Sequence, residues 1–277
     1  MQPYHFRSIW VSDVHLGFKD CKAEFLLDFL EATDCEQLYL VGDLIDFWNL
    51  RQGGRWPTAH GRVIKTILGK AREGMRVIYI PGNHDEVARD YLGLRVGGIE
   101  ILPECEHRTA DGRRFLVTHG DELDSAVKCG GWLVSVFGDW MYDALLFANR
   151  WTNRIRRRLN YPYWSLANFL KLRIGQAAAY ITRFEAAAAR EARHRGFDGI
   201  VCGHIHKAEL TEIEGTWYAN DGDWVESCTA LVEHADGRLE VLYWAAELAQ
   251  RQTKPTRPPL AMPESEPILE SEAFRWR

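Results

Sequence analysis

Residues 6–17 read FRSIWVSDVHLG, an apolar run of strand length that opens into a loop carrying Asp13 and His15. The same form returns in QLYLVGD (37–43) and RVIYIPG (76–82). Each run is too short for a typical helix and ends at Asp or Gly, so each is read as a strand. Between them, KAEFLLDFLEA (22–32) and GRVIKTILGKAREG (61–74) repeat their apolar residues at helical spacing. The order β-α-β-α-β predicts a layered α/β fold. Further along, EHRTADGRRFLVTHG (106–120) reads as a hairpin turning at Asp111-Gly112. The stretch from Ala208 to Trp244 alternates and turns at glycines, which predicts a run of antiparallel strands.

The chain has 277 residues, 46% of them apolar, enough for one sizeable core and one or two domains. A net charge of −5 argues against a general nucleic-acid coat. No stretch approaches the roughly 18 unbroken apolar residues of a membrane span. The first residues lack the pattern of a signal peptide and run straight into a strand. Six scattered cysteines, none in C-x-x-C spacing, read as reduced and mostly buried in a cytosolic protein.

Five stretches place metal-ligand residue types after strand-like runs. They are SDVHLG (Asp13, His15), GDLIDFW (Asp43, Asp46), GNHDE (Asn83, His84, Asp85), THGDELD (His119, Asp121, Asp124) and GHIHKAEL (His204, His206). Alone, a D-x-H or H-x-H pair is more often a surface loop, and Gly-Asn and Gly-Asp are ordinary turn dipeptides. Five such stretches in one order on one chain point instead to a shared site. On an extended backbone, Asp13 and His15 would project to one side, and His204 and His206 would do the same. Asp13, His15, Asp43, Asn83, His119, His204 and His206 are too many donors for one ion with an open position. Two ions sharing a carboxylate accommodate them. Mixed oxygen and nitrogen donors suit manganese, iron or zinc better than calcium. A pair of divalent ions suits displacement at phosphorus.

The ordered set D-x-H, G-D-x-x-D, G-N-H-D, H-G and G-H-x-H resembles the calcineurin-like metallophosphoesterases over roughly residues 6 to 245. The resemblance implies a four-layered sandwich, helices flanking two mixed sheets. It implies Asp13, His15 and His206 as ligands of one metal and Asn83, His119 and His204 as ligands of the other, with Asp43 bridging. His84 matches the family's imidazole beside the leaving group; its neighbour Asp85 is expected either to orient it or to cap a helix beginning at EVARDYLG (86–93). Two divalent ions are implied, manganese first, with iron, zinc or magnesium as alternatives. GDLIDFW, a helical insertion before GHIH, and NDGDWVESCTALVEH resemble the UDP-2,3-diacylglucosamine pyrophosphohydrolase group of lipid A synthesis. That group carries G-N-R-D where this chain has G-N-H-D, as a related branch does. The implied substrate is a phosphorylated small molecule or a nucleotide-linked glycolipid. Cytoplasmic location is expected, with peripheral contact at the inner membrane surface and no nucleic-acid partner. The alternative reaction is phosphoester hydrolysis on other small nucleotides or nucleic acid.

Residues 132–195 break the catalytic pattern and are read as a helical cap within a catalytic domain of residues 1–248. From Ala144 to Phe184 there is no Asp or Glu, yet there are eight Lys and Arg. Aromatic residues are interleaved with them. One reading is a solvated helical hairpin. The sharper one is a cap offering Arg154, Arg157 and Arg158 to phosphate, and Trp151, Trp164 and Phe169 to acyl chains. Residues 249–277 are rich in Pro and charge and are expected to form a disordered tail.

Overall fold

The computed structural model describes residues 4–127, 151–156, 158–159 and 175–253. β1 (Tyr4–Val11), β2 (Thr33–Val41), β3 (Arg76–Ile80) and β5 (Ile99–Ile101) lie side by side in parallel, with α1 (Ala23–Ala32), the short α2 (Phe47–Arg51) and α3 (Thr58–Arg72) between them in sequence. The short β4 (Arg95–Val96) pairs antiparallel with β5 at one edge. At the other edge β11 (Thr229–Glu233) and β12 (Leu239–Tyr243) complete a mixed sheet in the order β12-β11-β1-β2-β3-β5-β4. A second mixed sheet runs β6-β7-β8-β10-β9. It comprises the expected hairpin, β6 (Cys105–Arg108) with β7 (Arg114–Val117), then β8 (Gly199–Cys202), β9 (Glu209–Ile213) and β10 (Thr216–Asn220).

Alternation along the strands builds the layers. In β1, Ile9 and Val11 face α1 and α3, while Trp10 faces the second sheet. β2 and β3 repeat this with Leu38 and Leu40 outward and Tyr39 and Val41 inward, then Val77 outward and Ile78 and Ile80 inward. Phe115, Val117, Val201 and Ala219 answer from the second sheet. The reverse face of that sheet packs Leu116, Ile200, Cys202 and Tyr218 on the short α4 (Asp124–Val127) and on α5 (Gly175–His194). Helix, sheet, sheet and helix therefore stack in four layers, as expected.

Two expectations change. The stretch 208–244 is not one antiparallel run. β9 and β10 form a hairpin in the second sheet, where β10 also pairs in parallel with β8. The next hairpin, β11–β12, belongs to the first sheet. Alternation reports a strand's buried faces, not which sheet receives it. Residues 249–253, expected in the disordered tail, are instead the end of α6 (Trp244–Thr253), which starts at fully buried Trp244. Residues 254–277 lie outside the described residues.

Within the insertion, residues 151–156 and α5 are helical. Trp151, Arg154 and Arg158 are exposed, whereas Arg157, Trp164 and Phe169 lie outside the described residues. Cys21, Cys35, Cys105, Cys202 and Cys228 are free thiols, the last two buried and the others half-buried. Cys129 lies outside the described residues. No described helix is long and apolar enough to cross a membrane.

Candidate metal centre

Five loops meet where parallel strands of both sheets end. They follow β1, β2 and β3 in one sheet and β7 and β8 in the other. This is the end of a parallel sheet where ligands usually bind. The backbone there is not extended as the D-x-H reading expected. Asp13, His15, Asp43, His204 and His206 have φ of 50°, 53°, 51°, 68° and 52°. They are five of the seven non-glycine residues with positive φ among the described residues. Left-handed backbone is unusual for side-chain-bearing residues and clusters at functional sites. Its cause is visible in the pairing. After β1 the chain curls rather than extends, because the amides of Asp13, His15 and Leu16 donate to the carbonyls of Gly42, Asp43 and Leu44 at 3.1, 2.8 and 2.9 Å. Val14, between the two ligand-type residues, is buried in the outer core.

The curled loops bring side chains together. One ligand-type atom from each of Asp13, His15 and His206 lies within 4.8 Å of the others, and the same holds for Asp13, Asp43 and His119. Asp43 Oδ2 stands 3.7 Å from His15 Nε2 and 3.5 Å from His119 Nε2, between the two groups. His206 Nε2 is 3.1 Å from Asp13 Oδ1. The His204 ring is 5.3 Å from that of His119. The two histidines of GHIH thus pack against different neighbours. Missing Cβ atoms allow the approach: a methyl group on Gly82 would collide with Asp43 Oδ1 and His119, and one on Gly203 with Ser12 and Asp13.

Several donors are anchored by one atom. Asp13 Oδ2 accepts from Ser12 Oγ at 2.5 Å and from the His204 amide at 2.9 Å. Asp43 Oδ1 accepts from the His84 amide at 2.8 Å. His119 Nδ1 lies 2.8 Å from the Val41 carbonyl, which makes Nδ1 the protonated nitrogen. The buried atoms left without hydrogen bonds include Asp13 Oδ1, His15 Nε2, Asn83 Oδ1 and His119 Nε2. Burying a polar atom without a partner is costly. These atoms come from the residue types that bind divalent cations, so the donor set fits a metal centre.

The charges agree. Burial works to raise the Asp13 carboxyl, but His206 and His119 hold it far below the usual range. Asp43 is held down against its burial by His119, His15 and His84. Burial would lower His15, yet Asp46, Asp43 and Asp13 raise it to about 9. His119 is raised well above its ordinary value by Asp43, Asp13 and Asp121, again against burial. These shifts all favour positive charge at the cluster.

One assignment changes in the third loop. Asp85 does not orient His84. Its fully buried carboxylate accepts from the amides of Gly82 (2.6 Å), Leu44 (2.7 Å) and Asp43 (3.2 Å) and from the Tyr79 hydroxyl (2.5 Å). It is a clasp between the second and third loops. The residue at His84 is Asp46, whose Oδ1 lies 3.2 Å from His84 Nδ1 and whose Oδ2 lies 3.5 Å from His15 Nδ1. Sequence reading noticed Asp46 as a ligand type but gave it no role. Trp48, half-exposed, packs its ring 4.2 Å from that of His84. The buried Asp221 stands behind Asp13, with its Oδ1 2.5 Å from Ser12 Oγ. Only the composition of NDGD hinted at it. Arg89 donates to both oxygens of Asp121 at 2.9 and 2.8 Å, tying the segment after β3 to the fourth loop.

A model of the calcineurin-like phosphoesterases matches residues 6–208, the span that carries all five loops. The chain belongs to the calcineurin-like phosphoesterase family. It is therefore a metal-dependent hydrolase of phosphoesters. Among curated relatives, the UDP-2,3-diacylglucosamine hydrolase of Xanthomonas campestris pv. campestris is 27% identical, covering 83% of this chain and 96% of its own length. That of Neisseria gonorrhoeae is 27% identical over 81% and 90%, and that of Aliivibrio fischeri 24% identical over 82% and 94%. Among solved structures, an archaeal phosphodiesterase aligns over 85% of this chain and 98% of its own at 13% identity, with a TM-score of 0.42.

If Asp85 is a clasp, Asp85→Ala leaves several buried donors without an acceptor. Each such loss costs about 1–3 kcal/mol, so the variant should be destabilised by about 3 kcal/mol or more in urea unfolding. Wild-type stability with lost activity would instead place Asp85 in the chemistry.

Proposed function

We propose that the enzyme hydrolyses the phosphoanhydride of a nucleotide-linked glycolipid, a UDP-2,3-diacylglucosamine or a close analogue, using two divalent ions. The convergence of bare donor atoms on Asp43 from both sides carries this reading. Asp13, His15 and His206 hold one ion, and Asn83, His119 and His204 hold the other. Asp43 is shared. Manganese suits this donor set, with iron, zinc or magnesium as alternatives. When bound, such ions polarise phosphoryl oxygens and supply a nucleophile near neutral pH.

The chain's own residues do the rest. His84 stands beside the centre without being needed as a ligand, and it donates a proton to the leaving oxygen. Asp46 Oδ1 stands 3.2 Å from His84 Nδ1, so that nitrogen faces Asp46 and Nε2 is the one left to meet substrate. The deep burial of Asp13, Asp43 and His119 excludes water from behind the centre. Substrate choice is assigned to the insertion of residues 132–195, because the centre engages only the phosphate and the rest of the molecule must be read elsewhere. Three considerations support the glycolipid: the names of the relatives, the eight basic residues free of acidic neighbours, and exposed Trp151 among them. Residues 1–248 then form the catalytic domain, with α6 closing it. A cytoplasmic enzyme that touches the inner membrane surface would meet such a substrate.

Removing the shared carboxylate tests the centre. Asp43→Ala should lose both ions by elemental analysis and nearly all activity. Two retained ions would contradict the bridge. His84→Ala should keep both ions and lose about 10²–10⁴-fold in rate; loss of an ion would make His84 a ligand. For the substrate, a UDP-diacylglucosamine is assayed beside a small aryl phosphodiester. Replacing Arg154 and Arg158 with Ala should depress turnover of the first and spare the second. Equal losses would return the insertion to a supporting role, and a wild type active only on small diesters would favour the other nucleotide substrates.

A further inference from the structure

We infer that Tyr180, on the helix that ends the insertion, is a positioning residue for the metal centre, acting through Asp124 on His204. The inference rests on the proposed role of His204 as a ligand. One face of α5 carries it. Ile181, Ala188 and Ala192 bury this helix against Leu116, Ile200 and Tyr218 of the second sheet. From that fixed platform three neighbouring side chains reach the loops of the centre. The Tyr180 hydroxyl donates to Asp124 Oδ1. The same oxygen lies 3.1 Å from His204 Nε2. Phe184, one turn on and fully buried, stacks at a tilt 5.9 Å from the His204 ring and also lies against Gly120, next to His119. Glu185 accepts from Lys207 Nζ at 2.8 Å, next to His206. The helix thus grips the H-x-H loop on both sides.

The chemistry follows from imidazole tautomers. A histidine that donates Nε2–H to a carboxylate keeps its lone pair on Nδ1. Asp124 therefore selects Nδ1 as the nitrogen left for a cation, and it fixes the plane of the ring. A carboxylate oxygen has two lone pairs, so Asp124 Oδ1 accepts from Tyr180 and His204 together. Without Tyr180 a restraint on that oxygen is gone. Partners behind a ligating histidine typically change metal affinity 10–100-fold when removed. The insertion is then part of the centre as well as the proposed reader of substrate. None of the five sequence stretches contains Tyr180, so it cannot be found by motif.

The test uses the full chain, stripped of metal with chelator and titrated with Mn²⁺ alone by calorimetry. Tyr180→Phe keeps the ring and removes only the hydroxyl. It should retain two Mn²⁺ sites, weaken one about 10–100-fold and leave the other within about twofold. Asp124→Ala should do the same or more, which covers the case in which one variant folds poorly. Ile181→Ala, on the same helix but outside the hydrogen-bonded chain, should lower thermal stability and leave both affinities unchanged. His204→Ala should lose one site outright. If Tyr180→Phe and Asp124→Ala bind Mn²⁺ as wild type while His204→Ala loses a site, the positioning role is overturned and the ligand assignment stands. If Ile181→Ala weakens Mn²⁺ as much as Tyr180→Phe, helix packing alone is responsible and the role is again overturned. Two wild-type sites in His204→Ala would overturn the ligand assignment and the inference with it.

Discussion

Left-handed backbone at five residues that carry side chains is the constraint on which the rest of this molecule depends. Asp13, His15, Asp43, His204 and His206 could not aim their donors at one small volume from strands that simply ran on. Such conformations cost of the order of 1–3 kcal/mol each and persist only where the surroundings over-determine them. Here the surroundings are two sheets with a close-packed interior between them, and the loop-to-loop amide bonds of residues 13–16 with 42–44. Asp85 adds the clasp that locks the third loop to the second. The double sheet is thus the support for a strained crown of loops, and the crown is where the family's chemistry resides.

The polar groups in that crown obey one rule. One atom of a donor side chain is tied to protein and another is kept for a cation. Asp13 and His119 show it, and one oxygen of Asp43 is held in the same way, the tied atoms resting on an amide, a hydroxyl or a carbonyl. His204 follows the rule through Asp124, and His15 through Asp46. Fixing one atom sets the rotamer and tautomer before a metal arrives, which is how outer partners tune metal affinity. Such partners hold in place the buried carboxylates and imidazoles that crowd together here.

Much of this was legible in the sequence. The strand-helix alternation of residues 6–82 specified the parallel heart of the first sheet, since burial on both faces leaves continuous apolar runs. The Asp111-Gly112 turn specified the β6–β7 hairpin. The residue types of the five loops specified the centre, because few other chemistries need Asp, Asn and His together after strands. Other features had no local signal. Nothing in residues 208–244 says that β11 leaves one sheet for the other, because both environments bury the same alternating residues. Nothing in D-x-H distinguishes a curled loop from an extended one. Asp85 looked like a helper of His84 because it is adjacent in sequence, yet Asp46 reaches His84 from a different loop. Tyr180 and Asp124 meet only because α5 docks on the second sheet.

The central claim, that these loops build one two-ion centre around Asp43, is tested most directly by diffraction. Crystals grown with Mn²⁺ are measured at wavelengths on either side of the manganese absorption edge. Two anomalous peaks flanking the Asp43 carboxylate are expected, one beside His15 and His206 and the other beside His119 and His204. A single peak, or two peaks that do not share Asp43, would contradict it.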